Sequence, residues 1–321
     1  MPTQKQVLYL VPARLGDAVM TTAALSKYKL LNPNTIVDVL ATSKIAKDVY
    51  LNNPNCRQIF LLSELLNTEQ FLLSYAYVVI VLSDKKAHEL MRQYSFNAVV
   101  NKHSVTKSHQ TDHYLDLINN VFNEHDLIPT NISDIQTSYS VQTSVSDTSS
   151  IRQKFDIKNP YLILHMGCHG IAKPKRWWQI GKRDQHGKAW SVENYIALAK
   201  LINLKFPHYK IVITGGKEEQ GLADAFIKEI PNAVNLMGIT SVQELKVLIQ
   251  HALIFISGDT GAMHVACTTD TPLIALFGNT SAIMTGPYPA TDFRVVLKSN
   301  PISAIEPLLV YQTVLGLINN S

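Results

Sequence analysis

Short apolar runs alternate with helix-patterned stretches along the whole chain, and this alternation restricts the fold more than any other feature. In the first half QVLYLVP (6–12), TIVDVLA (35–41), QIFLL (58–62), YVVIVLS (77–83) and NAVV (97–100) read as strands. DAVMTTAALSKYKLL (17–31), SKIAKDVYL (43–51) and TDHYLDLINNVF (111–122) are among the helices between or after them. Such a rhythm builds a parallel sheet covered by helices on both faces. Residues 138–150, SYSVQTSVSDTSS, interrupt it with Ser and Thr and no apolar period, and read as a linker between domains 1–150 and 151–321. A second series follows, from YLILHMG (161–167) through KIVITGG (210–216), AVNLMG (233–238) and LIFISGD (253–259) to PLIALFG (272–278), each but the last followed by a helical pattern. The tail at 302–320 reads as one last helix. No repeat has solenoid spacing. The expected fold class is therefore α/β, two Rossmann-like, doubly wound domains facing a central cleft.

Composition agrees with an ordinary globular chain long enough for two cores, with 321 residues, 46% hydrophobic and 17% charged. No apolar run reaches the roughly 18 residues of a membrane span, and the start MPTQKQVLYLVPARLGD lacks the pattern of a signal peptide. A cytoplasmic location is expected. Cys56, Cys168 and Cys267 are far apart and an odd number, which indicates neither a disulfide framework nor a CxxC metal site. The net charge of +4 is uneven: Lys and Arg against Asp and Glu number 12 against 13 in 1–150 and 17 against 12 in 151–321. Much of the excess lies in KPKRWWQIGKRDQHGK (173–188), either a site for an anionic ligand or a solvated basic loop.

Two strand exits carry the chemistry. SGDTGAMHVA (257–266) leaves a buried strand through Gly258, Asp259, Thr260 and Gly261. In open α/β sheets ligands bind at such carboxyl ends, and the first amides of the next helix suit a phosphate. Asp259 or Thr260 can instead cap that helix, and His264, about one turn in, is either a packed residue or a functional one. RLGDAVMTT (14–22) is the shorter echo. Gly16 there suits a tight turn, and Asp17 reads either as an N-cap or as a general base. A GxGxxG after the first strand, a Walker lysine, HExxH and GxSxG are all missing, which disfavours dinucleotide and P-loop chemistry.

RLGDAVMTTAAL, KAWSVENYIALAKLI, ITGGKEE, NLMGITSVQEL and ISGDTGAMHVACTTDTPLIALFGNT stand in the order and spacing of glycosyltransferase family 9, which the chain resembles over nearly its whole length. The resemblance implies a GT-B fold, with the acceptor on the N-terminal domain and the nucleotide sugar on the C-terminal one. It further implies an inverting transfer of heptose from ADP-heptose to an inner-core lipopolysaccharide or lipooligosaccharide acceptor, with no cofactor and no metal. By this likeness Asp17 is the base. Lys188, Asp259, Thr260, Gly261 and His264 serve the donor and its phosphates. Glu219, with Glu218 adjacent and the register open by one, resembles the residue on the ribose hydroxyls, while Met237 and Thr240 line either the base pocket or the core. Arg14, Lys175 and Arg176 are candidates for an anionic acceptor, the last two in an insertion with Trp177 and Trp178 that reads equally as a solvated loop. The partners implied are a nucleotide sugar and a lipid-linked oligosaccharide, with transient contact at the inner face of the cytoplasmic membrane and no nucleic acid. Alternatives are a family member with another glycan, protein acceptor or nucleotide sugar, and a non-catalytic nucleotide-sugar-binding protein.

Overall fold

The computed structural model describes residues 5–100, 108–124, 137–143, 148–167 and 187–319. The chain divides into two compact units, Met1–Ser144 and Val145–Ser321. In the first, β1 (Gln6–Val11), α1 (Leu15–Leu31), β2 (Ile36–Ala41), α2 (Lys44–Tyr50), β3 (Ile59–Leu61), α3 (Thr68–Leu73), β4 (Tyr77–Ile80), α4 (Lys85–Gln93), β5 (Ala98–Val100) and α5 (Gln110–Glu124) follow one another. The strands form one parallel sheet in the order β3-β2-β1-β4-β5. Val7 to Val11 are all buried, as a central strand covered on both faces requires. The middle of α1 is buried on every side, from Ala18 to Leu25, and the helix packs on α5 as well as on the sheet. Arg57 and Tyr75 satisfy the one carboxylate sunk in this sheet, Asp38, at 3.0 and 2.9 Å.

The Ser/Thr-rich stretch is not a bare linker. Thr137, Tyr139 and Val141 point into the first unit and Ser138 points out, a period of two. The Tyr139 hydroxyl meets Thr111 Oγ1 at 2.7 Å, and the Ser140 amide donates to Thr22 Oγ1 at 2.9 Å. Two apolar residues suffice because hydrogen bonds complete the attachment.

The second unit begins with α6 (Thr148–Lys154) and β6 (Tyr161–His165). It continues through α7 (Val192–Lys205), β7 (Lys210–Thr214), α8 (Gln220–Glu229), β8 (Val234–Asn235), α9 (Val242–Gln250), β9 (Phe255–Gly258), α10 (Gly261–Ala266), β10 (Leu273–Phe277), α11 (Ala282–Thr285), β11 (Arg294–Lys298) and α12 (Pro307–Asn319). Its parallel sheet runs β11-β10-β9-β6-β7-β8. Numbered within the unit this is 3-2-1-4-5-6 read from β8, the doubly wound order, and the first unit has the same order up to its fifth strand. Ser191 caps α7 at the Asn194 amide, and Ser241 and Glu244 form a reciprocal capping box on α9. The tail is not a single helix. A 3-10 turn (Ile302–Ala304) buries Ile302, and with Ile305 it packs on the core before Pro307 opens α12, a position that needs no amide hydrogen. Among the described residues no helix is long and apolar enough to cross a membrane.

Candidate functional site

The order of each sheet fixes where a ligand can enter. Connections leave β6 and β9 of the second unit in opposite directions, so a crevice opens beyond their carboxyl ends. His165 to Gly167 and Ser257 to Thr260 stand there. Residues 187–190 cross the same edge: Gly187 has φ +62°, a Cβ on Gly278 would collide with the Gly187 carbonyl, and one on Gly258 would come within 2.9 Å of the Lys188 carbonyl. Gly258 is thus required by the chain that lies over it, in addition to any ligand. Trp190 pins this segment, with its ring buried against the edge of Tyr195 and Nε1 donating to the Ile305 carbonyl at 2.9 Å.

The pinning delivers Lys188 to Asp259. The ammonium meets Oδ2 at 2.7 Å, and Thr285 Oγ1 approaches Oδ1 at 3.5 Å. The Asp259 side chain is 7% exposed and that of Lys188 31%, so the cation is the reachable member of the pair. Asp259 therefore does not cap α10. Thr260 occupies the N-cap position, but its hydroxyl pairs with Ser257 Oγ at 2.9 Å and makes no cap bond. The side-chain capping open to these residues in the sequence is not realised. Gly261 opens the helix, and His264 is buried at 3% within it.

A second group gathers at the ends of β6, β7 and β8. Glu219 Oε2 accepts from the Gly216 amide at 2.5 Å, and a Cβ on Gly167 would strike this carboxylate. A Cβ on Gly215 would lie 3.0 Å from the same oxygen and would strike Met237 Sδ. Glu219 and Met237 therefore share one glycine-cleared edge. Met237 is also part of the core cluster, which bears out its reading as a core contact. Gly238, at φ +69°, turns the chain away, and Thr240 stands half-buried just before the Ser241 cap. Lys175, Arg176, Trp177, Trp178 and Cys168 lie outside the described residues.

In the first unit the equivalent crevice lies beyond β1 and β4. Here the sequence reading needs correction, because α1 starts at Leu15 with Arg14 as its N-cap. Gly16 falls inside the first turn and has no positive φ, and Asp17 is the third helical residue instead of the cap. The chain enters the helix directly because the Ala18 amide already reaches the Arg14 carbonyl at 2.9 Å. Arg14 is exposed and Asp17 half-buried. Asp84, which the motifs did not single out, caps α4 through the Ala87 amide at 2.9 Å and accepts from the Ala13 amide at 3.4 Å, joining the two strand exits. Its SDKK context before a helical pattern carries an N-cap signal.

His165 also escaped the motifs. Nδ1 pairs with Thr214 Oγ1 at 2.9 Å, and burial lowers the imidazole to about 4, which keeps it neutral near pH 7. Cys56 and Cys267 are free thiols pushed up to about 11 by burial, too high to ionise. Among the described residues no three His, Cys, Asp or Glu side chains group in a way that would hold a metal ion.

The family model and the curated relatives agree on one family. The model of glycosyltransferase family 9 (heptosyltransferase) matches residues 69–306. Lipopolysaccharide heptosyltransferase 3 of Escherichia coli is 33% identical over 107 residues, 32% of this chain and 30% of that one. The chain thus spans about a third of the length of the first curated relatives it matches. Among solved structures, E. coli ADP-heptose lps heptosyltransferase II superposes with a TM-score of 0.75 at 18% identity, covering 98% of this chain and 99% of that one. E. coli heptosyltransferase WaaC with ADP gives 0.70 at 15%, covering 97% and 99%. At such identities the superpositions show the fold, the GT-B arrangement of two parallel-sheet α/β domains. With a family model matched over most of its length, the chain belongs to glycosyltransferase family 9.

Proposed function

We propose that the protein transfers heptose from ADP-heptose to an inner-core lipopolysaccharide or lipooligosaccharide acceptor, with inversion and without a metal. The observation that carries this reading is the Lys188–Asp259 pair, held over the switch point of the second sheet beside an N-cap whose hydroxyl is engaged elsewhere. In this reading residues 151–321 bind the donor and residues 1–150 the acceptor.

Asp17 takes the proton of the acceptor hydroxyl while that oxygen bonds to the anomeric carbon of the heptose. The bond from the same carbon to the diphosphate oxygen breaks, and ADP departs with the electron pair. Its charge is met by the Lys188 ammonium and by the amides of Thr260 and Gly261. On ADP binding Lys188 turns from Asp259 to the phosphates, which frees the Asp259 carboxylate for hydroxyls of the sugar. Glu219 receives the ribose hydroxyls, Met237 and Thr240 flank the base, and His264 supports the phosphate loop from within α10. Arg14, Lys175 and Arg176 are assigned to an anionic acceptor. A lipid-linked acceptor brings the protein to the inner face of the cytoplasmic membrane for each turnover.

The test is incubation with ADP-heptose and a deacylated inner-core lipooligosaccharide in EDTA, with ADP release followed and the product linkage read by NMR. Equimolar ADP and product of inverted anomeric configuration are expected. No turnover with ADP-heptose alongside turnover with a UDP- or GDP-linked sugar would overturn the donor assignment.

A further inference from the structure

Helix α1 ends at Leu31 and the chain returns through Pro33 and Thr35 to β2, while Pro54 to Arg57 lead toward β3. These two connections wall an open cavity of about 290 Å³ at the amino ends of both strands. In a parallel sheet that edge lies opposite the strand exits, about 17 Å away along β2. Ligands of open α/β sheets sit at the carboxyl ends, so this cavity is not part of the crevice where Asp17 stands.

Its walls offer donors and no carboxylate. Lys29 and Arg57 line it, and no Asp or Glu does. The Lys29 ammonium donates to the Pro33 carbonyl at 3.0 Å and to the Thr35 carbonyl at 2.7 Å. Those carbonyls belong to the connection and not to the last turn of α1, so the ammonium is fixed at the wall and does not cap the helix. Two of its three hydrogens are used, and among the described residues it makes no ion pair. Arg57 places Nε and Nη2 on Asp38, at 3.0 and 2.5 Å, with Nη2 also 3.5 Å from Gln6 Oε1. Asp38 is fully buried, whereas Arg57 is 44% exposed. The planar guanidinium then carries Nη1 on the side away from that carboxylate, and Nη1 makes no hydrogen bond among the described residues. Asn32 Nδ2 and Asn53 Nδ2, buried in the same connections, are donors without a partner as well.

We propose that this cavity binds an oxyanion, the phosphate or carboxylate of a small molecule, with the Lys29 ammonium and Arg57 Nη1 as its donors. Both cations are held in place by the fold, so a ligand need not immobilise two long side chains. A phosphate or carboxylate supplies the acceptors that the walls lack, in charge-assisted hydrogen bonds. The volume, at the lower end of ligand pockets, suits a small molecule. The bound molecule takes no part in the transfer, and the inference stands independently of the donor and acceptor assignments.

Inorganic phosphate and succinate, titrated calorimetrically at constant ionic strength, test it. They are added to Lys188→Ala, in which the edge of the second unit lacks its cation, and to Lys188→Ala/Lys29→Met. Saturable binding of one or both anions is expected, weakened about tenfold or more by the second substitution. The anion that binds names the group. Cys56 gives a reading that needs no variant, because this half-buried free thiol also lines the cavity. Burial pushes it up to about 11, so N-ethylmaleimide reacts slowly enough to be timed in mildly alkaline buffer by peptide mass spectrometry. Saturating anion is expected to slow that reaction several-fold in the wild type. Binding absent for both anions, equal binding in the two variants, or a Cys56 rate that the anion leaves unchanged overturns the inference. If Lys188→Ala/Lys29→Met fails to fold, the protection of Cys56 decides alone.

Discussion

The two units share a strand order and differ in what they place at its switch point. Gly16 is the only glycine before residue 150, and the other 13 of the 14 follow it. In the second unit Gly167, Gly215, Gly216, Gly258 and Gly278 clear the carboxyl edge, so that backbone and a few reaching side chains line it. In the first unit the corresponding strand exits carry carboxylates instead, Asp17 on the first turn of α1 and Asp84 at the cap of α4. In the proposed function, one topology serves two kinds of site: the bare edge with its partly exposed Lys188 for a diphosphate, and the packed edge with its carboxylates for proton transfer.

The comparison can be broken from either side. Asp17→Asn keeps the shape of the packed edge but removes its base, and should lower transfer by about 10²- to 10⁴-fold with ADP affinity unchanged. Steady-state turnover beside nucleotide titration checks both halves. Lys188→Ala strips the bare edge of its cation and leaves Asp259 nearly buried without it. ADP affinity is expected to fall about ten- to a hundredfold, the range of a charge-assisted hydrogen bond. The stability loss should stay near 1 kcal/mol, since Lys188 is almost one-third exposed and screened. Filling the bare edge is a smaller perturbation. Gly215→Ala sets a methyl against Met237 and Glu219, which should cost about 1–3 kcal/mol in chemical denaturation and weaken ADP several-fold.

The smallest effect is pH-dependent and sharpens the contrast between the sheets. His165 is lowered by burial from 6.5 to about 4. Between those values the unfolded chain holds a proton that the folded protein refuses, so stability falls as the pH drops through that window. In His165→Asn the thermal midpoint should decline less between pH 7 and pH 4.5 than in the wild type. An equal decline would place the titrating group elsewhere.

The parts of the fold legible in the sequence are those with continuous apolar runs. β1, β4, β6, β7, β9 and β10 are buried along most of their length and lie in apolar runs rich in Val, Ile and Leu, with Tyr, Phe and Ala among them. β11 escaped because it is an edge strand only partly covered, and RVVLK offers no buried run. The start of α1 was displaced by two residues because Gly and Asp read as turn and cap, whereas Arg14 serves as the cap through backbone geometry alone. In the site, Asp17, Lys188 and Asp259 each stood out through a motif. The pairing of Lys188 with Asp259 did not, because 71 residues separate them and only the crossing at Gly187 brings them together. Asp84 and His165 owe their position to strand order and helix packing. Of these only Asp84 has a local signal, its N-cap context.

The division of labour between the two edges is tested most directly by calorimetric titration of ADP, UDP and GDP into three proteins: wild type, Lys188→Ala and Asp17→Asn. Selective ADP binding that is lost in Lys188→Ala and retained in Asp17→Asn is the expected result. ADP binding that fails in Asp17→Asn but survives in Lys188→Ala would contradict the assignment of the nucleotide to the second unit, and a preference for UDP or GDP would contradict the donor.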